Sequence, residues 1–444
     1  MYSVISRKTV DGDPFLSYST LDPMGRGDLN VEIRGSQPIK VSITPVGETV
    51  SETRIEEAKQ DVVVAVELFE DNIRKNTLYF AWREGEKIVP EQVSRAEKKP
   101  INRIFLETQI IFFVIVITIG MFLFFFIGDP AVLAILALQF LFVFFSNKFV
   151  ARTADWRITE ENPYIHLLEY PLPLKEHDDF MQKYAKDKIV AMKKEVYEET
   201  IAEKGEISCE NVQQVFEKYG FACKQENLSA RKVNVYELVK KTADKFGFPM
   251  PEVVVANTMI PNAAASGPSP SRGVVLITTG LFVQLDDDEI LSVLGHEFGH
   301  LKGRDPLFLY GLTAAQYLFT FFVVFPLFPF IFSSFLFLVY WWASMAVVYF
   351  IAKFFEARAD LISAMVIGQP QTLAESLEKI GFRRLIYERV PSFRIQEWVG
   401  MDPHPPIYFR IARLNKLEVP LKIKYPLIQS IKDVVRGFFE SLGI

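Results

Sequence analysis

The sequence predicts an α+β membrane protein. Its parts are a mainly helical domain with a small edge-strand sheet, four transmembrane helices in two hairpins, and an N-terminal β-rich soluble domain. Three observations predict this. Four apolar stretches, each spanning length or extendable to it, fall in two pairs. Before residue 95, short segments alternate apolar and polar residues, as half-buried strands do. Beyond residue 232, helical periodicity and short β-branched runs follow one another.

In residues 1–95, Leu29-Asn-Val-Glu-Ile, Ile39-Lys-Val-Ser-Ile and Leu78-Tyr-Phe-Ala-Trp82 read as strands. Residues 55–73 fit two readings: Ile55, Val62, Val66, Phe69 and Ile73 keep a helical period, while Val62–Val66 is strand-like. The first hairpin, within 104–150, pairs Ile110–Ile127 with Ala131–Phe145 across Gly128-Asp-Pro130. Residues 155–230 are polar and predict a mostly helical insertion, in which His166 and His177 read as ordinary polar residues. Residues 231–305 hold an amphipathic helix from Val233 to Phe246 ended by Gly247, then the strands Pro251–Ala256 and Gly273–Thr279. Between those strands, Ile260–Gly267 has small side chains and suits an edge that accepts a substrate strand. The second hairpin, 306–352, pairs Leu307–Phe325 with Phe330–Ile351 and is broken at Pro326 and Pro329. The last segment, 353–444, ends in an amphipathic helix suited to a membrane surface.

With a net charge of −5 and no basic arm interleaved with aromatics, the chain has no general attraction to nucleic acid. Cys209 and Cys223 lack metal-ligand spacing, two thiols do not make a disulfide framework, and a reducing compartment fits. No cleaved signal peptide is visible. Lys98, Lys99 and Arg103 precede the first span, and Lys148, Arg152 and Arg157 follow the second. Lys302 and Arg304 precede the third, Lys353 and Arg358 follow the fourth, and both hairpin turns lack Lys and Arg. The positive-inside rule then makes this a multi-pass cell-membrane protein with both termini and all soluble parts cytoplasmic.

Residues 296–300 read His-Glu-Phe-Gly-His. Asp286 as N-cap and Glu289 three residues on predict the helix that carries them, with Gly303 as its C-cap. Two histidines four apart share a helix face, so their ring nitrogens can meet on one Zn²⁺, within reach of Glu297. A third ligand is needed, and the candidate is Glu356, with Asp360 one turn on to fix a histidine tautomer. The competing reading pairs Glu356 locally with Lys353 or Arg358. His404, in Asp402-Pro-His-Pro-Pro406, and Arg410 are candidates to stabilise an oxyanion; the alternative is a surface loop.

Taken together, Asn262-Ala263, His296–His300, the paired spans, Glu356–Asp360, His404-Pro-Pro and Arg410 resemble the HtpX-like membrane metallopeptidases. These are gluzincins related more distantly to CAAX prenyl proteases, and the resemblance covers roughly 232–415. It implies a zincin-type catalytic domain, one Zn²⁺ on His296, His300 and Glu356, and Glu297 as general base. It also implies that Asn262 and Ala263 hold substrate backbone. The expected activity is hydrolysis of peptide bonds in misfolded membrane proteins at the cytoplasmic face, with protein or peptide substrates and the bilayer as partners. Two alternatives are a CAAX-type prenyl-protein protease and a latent scaffold with a vestigial zinc site. The chain departs from the family pattern in residues 1–95, where a span usually begins, and in 155–230.

Overall fold

The computed structural model describes residues 2–91 and 119–443, apart from 11–12, 22–26, 35–39, 47–49, 51, 121, 185, 204, 333–334 and 389. Ile39, Lys98, Lys99, Arg103 and most of Ile110–Ile127 therefore lie outside the described residues. The chain divides into two units, Met1–Lys75 and Asn76–Ile444.

In the first unit, β1 (Tyr2–Val10), β2 (Asp13–Leu21), β3 (Gly27–Arg34) and β4 (Lys40–Pro45) form an antiparallel sheet in chain order. Leu29 and Val31 of β3 are buried two residues apart, the side-chain period of a strand. The ambiguous stretch is helical: α1 spans Glu52–Lys75, with Ala58 and Val62 buried one turn apart.

In the second unit, β5 (Thr77–Trp82) pairs antiparallel with β7 (Tyr164–Pro171), which pairs with β8 (Ser229–Asn234). Sequence had placed β5 with the N-terminal region; its pairing ties it instead to the segment after the first hairpin. That segment is also less helical than expected. It contains β7 and β6 (Trp156–Ile158), besides α4 (Leu174–Lys183), α5 (Lys186–Glu199) and α6 (Cys209–Lys218). Its core joins Phe80 and Trp82 of β5 to Tyr170, Phe180, Met192, Val196 and Phe216. Cys209 and Cys223 form a disulfide joining the start of α6 to the turn beyond its end, which the expected reducing compartment does not favour. A pair rather than a cysteine-rich pattern gave no spacing signal.

A second sheet has the order β10-β11-β9-β6, built from β9 (Glu252–Ala256), β10 (Ala263–Ser266) and β11 (Val274–Thr278). β11 runs parallel to β9 and antiparallel to β10, so β10 is an edge. Buried Lys193 of α5 donates to the Val89 carbonyl and to Glu91, and Asn257, just past β9, also donates to the Val89 carbonyl. The two sheets are thereby tied through one set of polar groups.

Amphipathic α7 (Val235–Phe246) starts where Asn234 accepts from the Glu237 N–H and ends at Gly247, whose φ of 67° favours glycine. The motif helix α8 (Asp287–Gly303) begins with a full capping box between Asp286 and Glu289, as predicted. The helix runs through Gly303, and the left-handed residue that ends it is Arg304, φ 53°.

Among the described residues, two helices are long and apolar enough to cross a membrane, α9 (Asp305–Leu327) and α10 (Leu336–Val366). A third qualifies if α2 (Ala131–Phe144) and α3 (Ser146–Thr153), bent by 57°, count as one span. Four spans were expected; the first arm of the first hairpin lies mostly outside the described residues. The break predicted at Pro326 falls later: α9 runs on to Leu327 through a π-turn at Thr320–Val324, which absorbs a residue lacking an N–H donor. Gln316 and Thr320 of α9 bond to Ser344 and Tyr340 of α10, polar contacts suited to helices packed in lipid. After α10 come α11 (Pro370–Glu388), α12 (Pro391–Val399), α13 (Ile407–Asn415) and α14 (Pro426–Ser441). The tail helix packs along α10, with Val434 and Phe438 against Trp398, Phe350 and Phe354.

Candidate metal centre

The site is set by how closely α8 approaches α10. Gly295 and Gly299 lie on the α8 face that meets α10. A Cβ on Gly299 would sit 2.9 Å from the Ala359 Cα, and one on Gly295 only 2.6 Å from the Ser363 Oγ. Small residues one turn apart on both helices let the backbones nearly touch. His296 and His300, the residues after those glycines, are thus carried to Glu356 on α10. One ligand atom from each of the three lies within 4.8 Å of the others.

The two histidine rings are oriented in the same way. His296 places Nδ1 2.8 Å from Asp360 Oδ1, and His300 places Nδ1 2.7 Å from Asp305 Oδ2. Donating from Nδ1 leaves Nε2 bare in each neutral ring. The two Nε2 atoms face each other at 3.1 Å. Glu356 oxygens lie 3.5 Å from His296 Nε2 and 3.4 Å from His300 Nε2, and buried Glu356 Oε2 has no hydrogen-bond partner. Two lone pairs and a carboxylate converging this way form a donor set that could hold a metal ion. Without a metal, protons take its place. Burial opposes the charged form of His296, but the Asp360 hydrogen bond and the nearby Glu356 carboxylate outweigh it and hold its pKa up at about 10. His300 is raised too: burial opposes the charge, and the Glu356 charge and the Asp305 hydrogen bond prevail.

Each orienting carboxylate is clamped by an arginine. Arg410, 5% exposed, grips Asp360 with Nε at 2.9 Å and Nη2 at 2.7 Å. Arg358 holds Asp305 by one contact, Nη2 donating to Oδ1. Arg410 Nη1, which Asp360 does not take, lies 4.0 Å from Glu356 Oε2, so this side chain reaches the ligand set as well as Asp360. Glu356 pairs locally with neither Arg358 nor Lys353: Arg358 holds Asp305, and Lys353 donates to the Asp402 carbonyl. Both cations are buried.

His404 approaches from the opposite side. Asp402 accepts from its N–H and from Nδ1, both at 2.8 Å, which aims Nε2 at the site, 3.6 Å from Glu356 Oε2. Burial opposes ionisation of Asp402, yet the His404 hydrogen bond and the charges of His404 and Arg384 hold it well below the usual carboxylate range. The helix carrying Arg410 is capped by buried Glu388, which accepts from the Ile407 and Tyr408 N–H groups at 2.8 and 2.9 Å.

Edge strand β10 borders α8. Thr278 donates to the Asn262 carbonyl and its hydroxyl receives the Asn262 N–H, so 262, 264 and 266 turn their backbone toward β11. Ala263 and Ala265 turn theirs outward, and the Ala265 N–H donates to Glu297 Oε2 at 2.9 Å. Sequence reasoning missed Asp305, Arg358, Asp402, Glu388 and the Gly295/Gly299 face. Of these only the small-residue spacing on both helices was visible in the chain.

The profile of Peptidase family M48 matches residues 229–418. Curated relatives carry the name Protease HtpX homolog. The one from Methanopyrus kandleri is 34% identical over 218 residues, 41% of this chain and 66% of that protein. The one from Pelodictyon phaeoclathratiforme is 31% identical over 217 residues, 42% of this chain and 72% of its own. Protease HtpX homolog 2 of Methanosarcina acetivorans is 28% identical over 218 residues, 41% and 72%.

Proposed function

Because the chain belongs to Peptidase family M48, as an HtpX-like membrane metallopeptidase, we propose that it is a zinc-dependent endopeptidase with Glu297 as its general base. The observation that carries this reading is the convergence of two bare Nε2 atoms and an unpartnered Glu356 oxygen, with Glu297 on the same helix turn. His296, His300 and Glu356 would hold the metal. Zinc bound there supplies Lewis acidity toward a carbonyl and lowers the pKa of a coordinated water.

The chain's own residues do the rest. An extended peptide pairs with the outward backbone groups of Ala263 and with the Ala265 carbonyl, the Ala265 N–H being held by Glu297, and the methyl side chains at 263–265 leave that edge reachable. Asn262 fixes the entry of the strand through Thr278. Glu297 accepts a proton from the attacking water and returns it to the leaving amine. His404, with Asp402 on Nδ1, offers Nε2–H in its protonated form to the developing oxyanion. Arg410 and Asp360 keep His296 in its tautomer. Substrates are protein segments reaching the membrane face, including those of misassembled membrane proteins. A CAAX-type protease remains a second substrate class for the same site.

On orientation, Lys148, Arg152, Arg157, Lys302 and Arg304 are exposed beside the spans and support a cytoplasmic site by the positive-inside rule. The Cys209–Cys223 disulfide favours the opposite, oxidising face, because such bonds are rare in reducing cytosol. Labelling of a cysteine introduced at Lys302 with a membrane-impermeant reagent decides between them.

The function is tested by metal content and cleavage of an unfolded protein, in wild type and Glu297→Gln. Zinc in both with cleavage in wild type alone is the expected result. Cleavage by Glu297→Gln near the wild-type rate would sink the assignment of the base.

A further inference from the structure

We propose that Asp305 is the positioning residue of the second histidine ligand, and that it ties His300 to the start of a membrane span. The inference rests on the metal reading of His296, His300 and Glu356. Asp305 is the first residue of α9, directly beyond the left-handed Arg304. It is 3% exposed, and both carboxylate oxygens are used, Oδ2 by His300 Nδ1 at 2.7 Å and Oδ1 by Arg358.

Three features show that the fold makes room for this contact. Arg358 lies on α10, two residues after Glu356, so one helix supplies both a ligand and the clamp of another ligand's partner. Its guanidinium also lies over the Phe355 ring, 5.3 Å from the centroid. At Gly303 a Cβ would fall 1.6 Å from Arg358 Nη2 and 2.6 Å from Asp305 Oδ1, so only glycine leaves space for the pair. Arg304, a non-glycine residue at positive φ, turns the chain so that α9 starts with Asp305 facing back to His300. A carboxylate on Nδ1 fixes the tautomer that presents Nε2 and raises ligand basicity. α8, α9 and α10 therefore meet at one carboxylate, and displacement of α9 in the bilayer would turn the His300 ring.

The competing account makes Asp305–Arg358 a structural ion pair only. Two variants separate the accounts: Asp305→Asn, and the double variant Asp305→Leu with Arg358→Met, which replaces the buried pair by apolar groups and preserves folding. Zinc affinity is measured by chelator competition on metal-stripped, detergent-purified protein, and the visible spectrum is recorded after Co²⁺ loading. Positioning predicts that both variants lose about 10- to 100-fold in zinc affinity and shift the Co²⁺ bands, while the double variant still melts cooperatively. Zinc affinity within about twofold of wild type and an unchanged Co²⁺ spectrum in the double variant would overturn the proposal. Wild type taking up no metal in the same titration would overturn the metal reading itself.

Discussion

Arg410→Met separates the two roles an arginine can have beside this site. In the structure Arg410 is buried and makes two charged hydrogen bonds to Asp360, which is itself 1% exposed. Removing one partner of a buried ion pair costs up to about 3–5 kcal/mol, and Asp360 here keeps only the His296 contact. The two bonds lost, at about 1.5–3 kcal/mol each, give an overlapping range of about 3–6 kcal/mol. Asp360 would then no longer be held against His296 Nδ1, which lowers metal affinity by about 10- to 100-fold. The assays are denaturant unfolding of metal-stripped protein in detergent and a zinc competition titration. Arg410→Met combined with Asp360→Leu should recover most of the stability but not the zinc affinity. Arg410→Met that loses less than about 1 kcal/mol, keeps its zinc affinity and drops only in kcat would refute the reasoning. That result would give Arg410 the oxyanion role the sequence first suggested.

Other outcomes follow from the same geometry. Gly299→Ala puts a methyl 2.9 Å from the Ala359 Cα, a backbone atom that cannot swing aside, and should cost about 1–3 kcal/mol and loosen metal binding; thermal melts with and without zinc measure it. Metal binding must displace the proton that His296 holds with a pKa near 10, so calorimetry in two buffers of different ionisation enthalpy should show proton release at pH 7. The same raised pKa stabilises the metal-free fold fully below the unfolded value of about 6.5 and progressively less as pH rises toward 10, so the metal-free melting temperature should fall across that window. Breaking the Cys209–Cys223 bond, with a sequence separation of 14, should cost about 3 kcal/mol of unfolding free energy under oxidising conditions and nothing under reducing ones.

Much of the site was legible because its signals are local. The Asp286/Glu289 capping box, the His-x-x-x-His face of α8, the strand before it and the stop at Gly247 each depend on residues within a few positions of one another. Glu356 and Asp360 were found for the same reason, by their spacing of one turn. What the chain hid depends on approach in space. Asp305 acquires its role only because Arg304 turns α9 back on α8, and Arg410 meets Asp360 only because α13 packs against α10. The β5–β7–β8 sheet joins strands from three distant segments, and no local pattern marks such pairing. The stretch 55–73 could be read two ways because β-branched residues happen to fall at helical spacing; the helix is what forms.

The central claim is that α8 and α10 hold one zinc ion through His296, His300 and Glu356. The most direct measurement is metal stoichiometry after chelator stripping and zinc reloading, for wild type and for His296→Ala combined with His300→Ala. The account predicts one zinc per chain in wild type and none retained by the double variant. A wild-type protein that takes up no zinc, or a double variant that still holds it, would contradict the account.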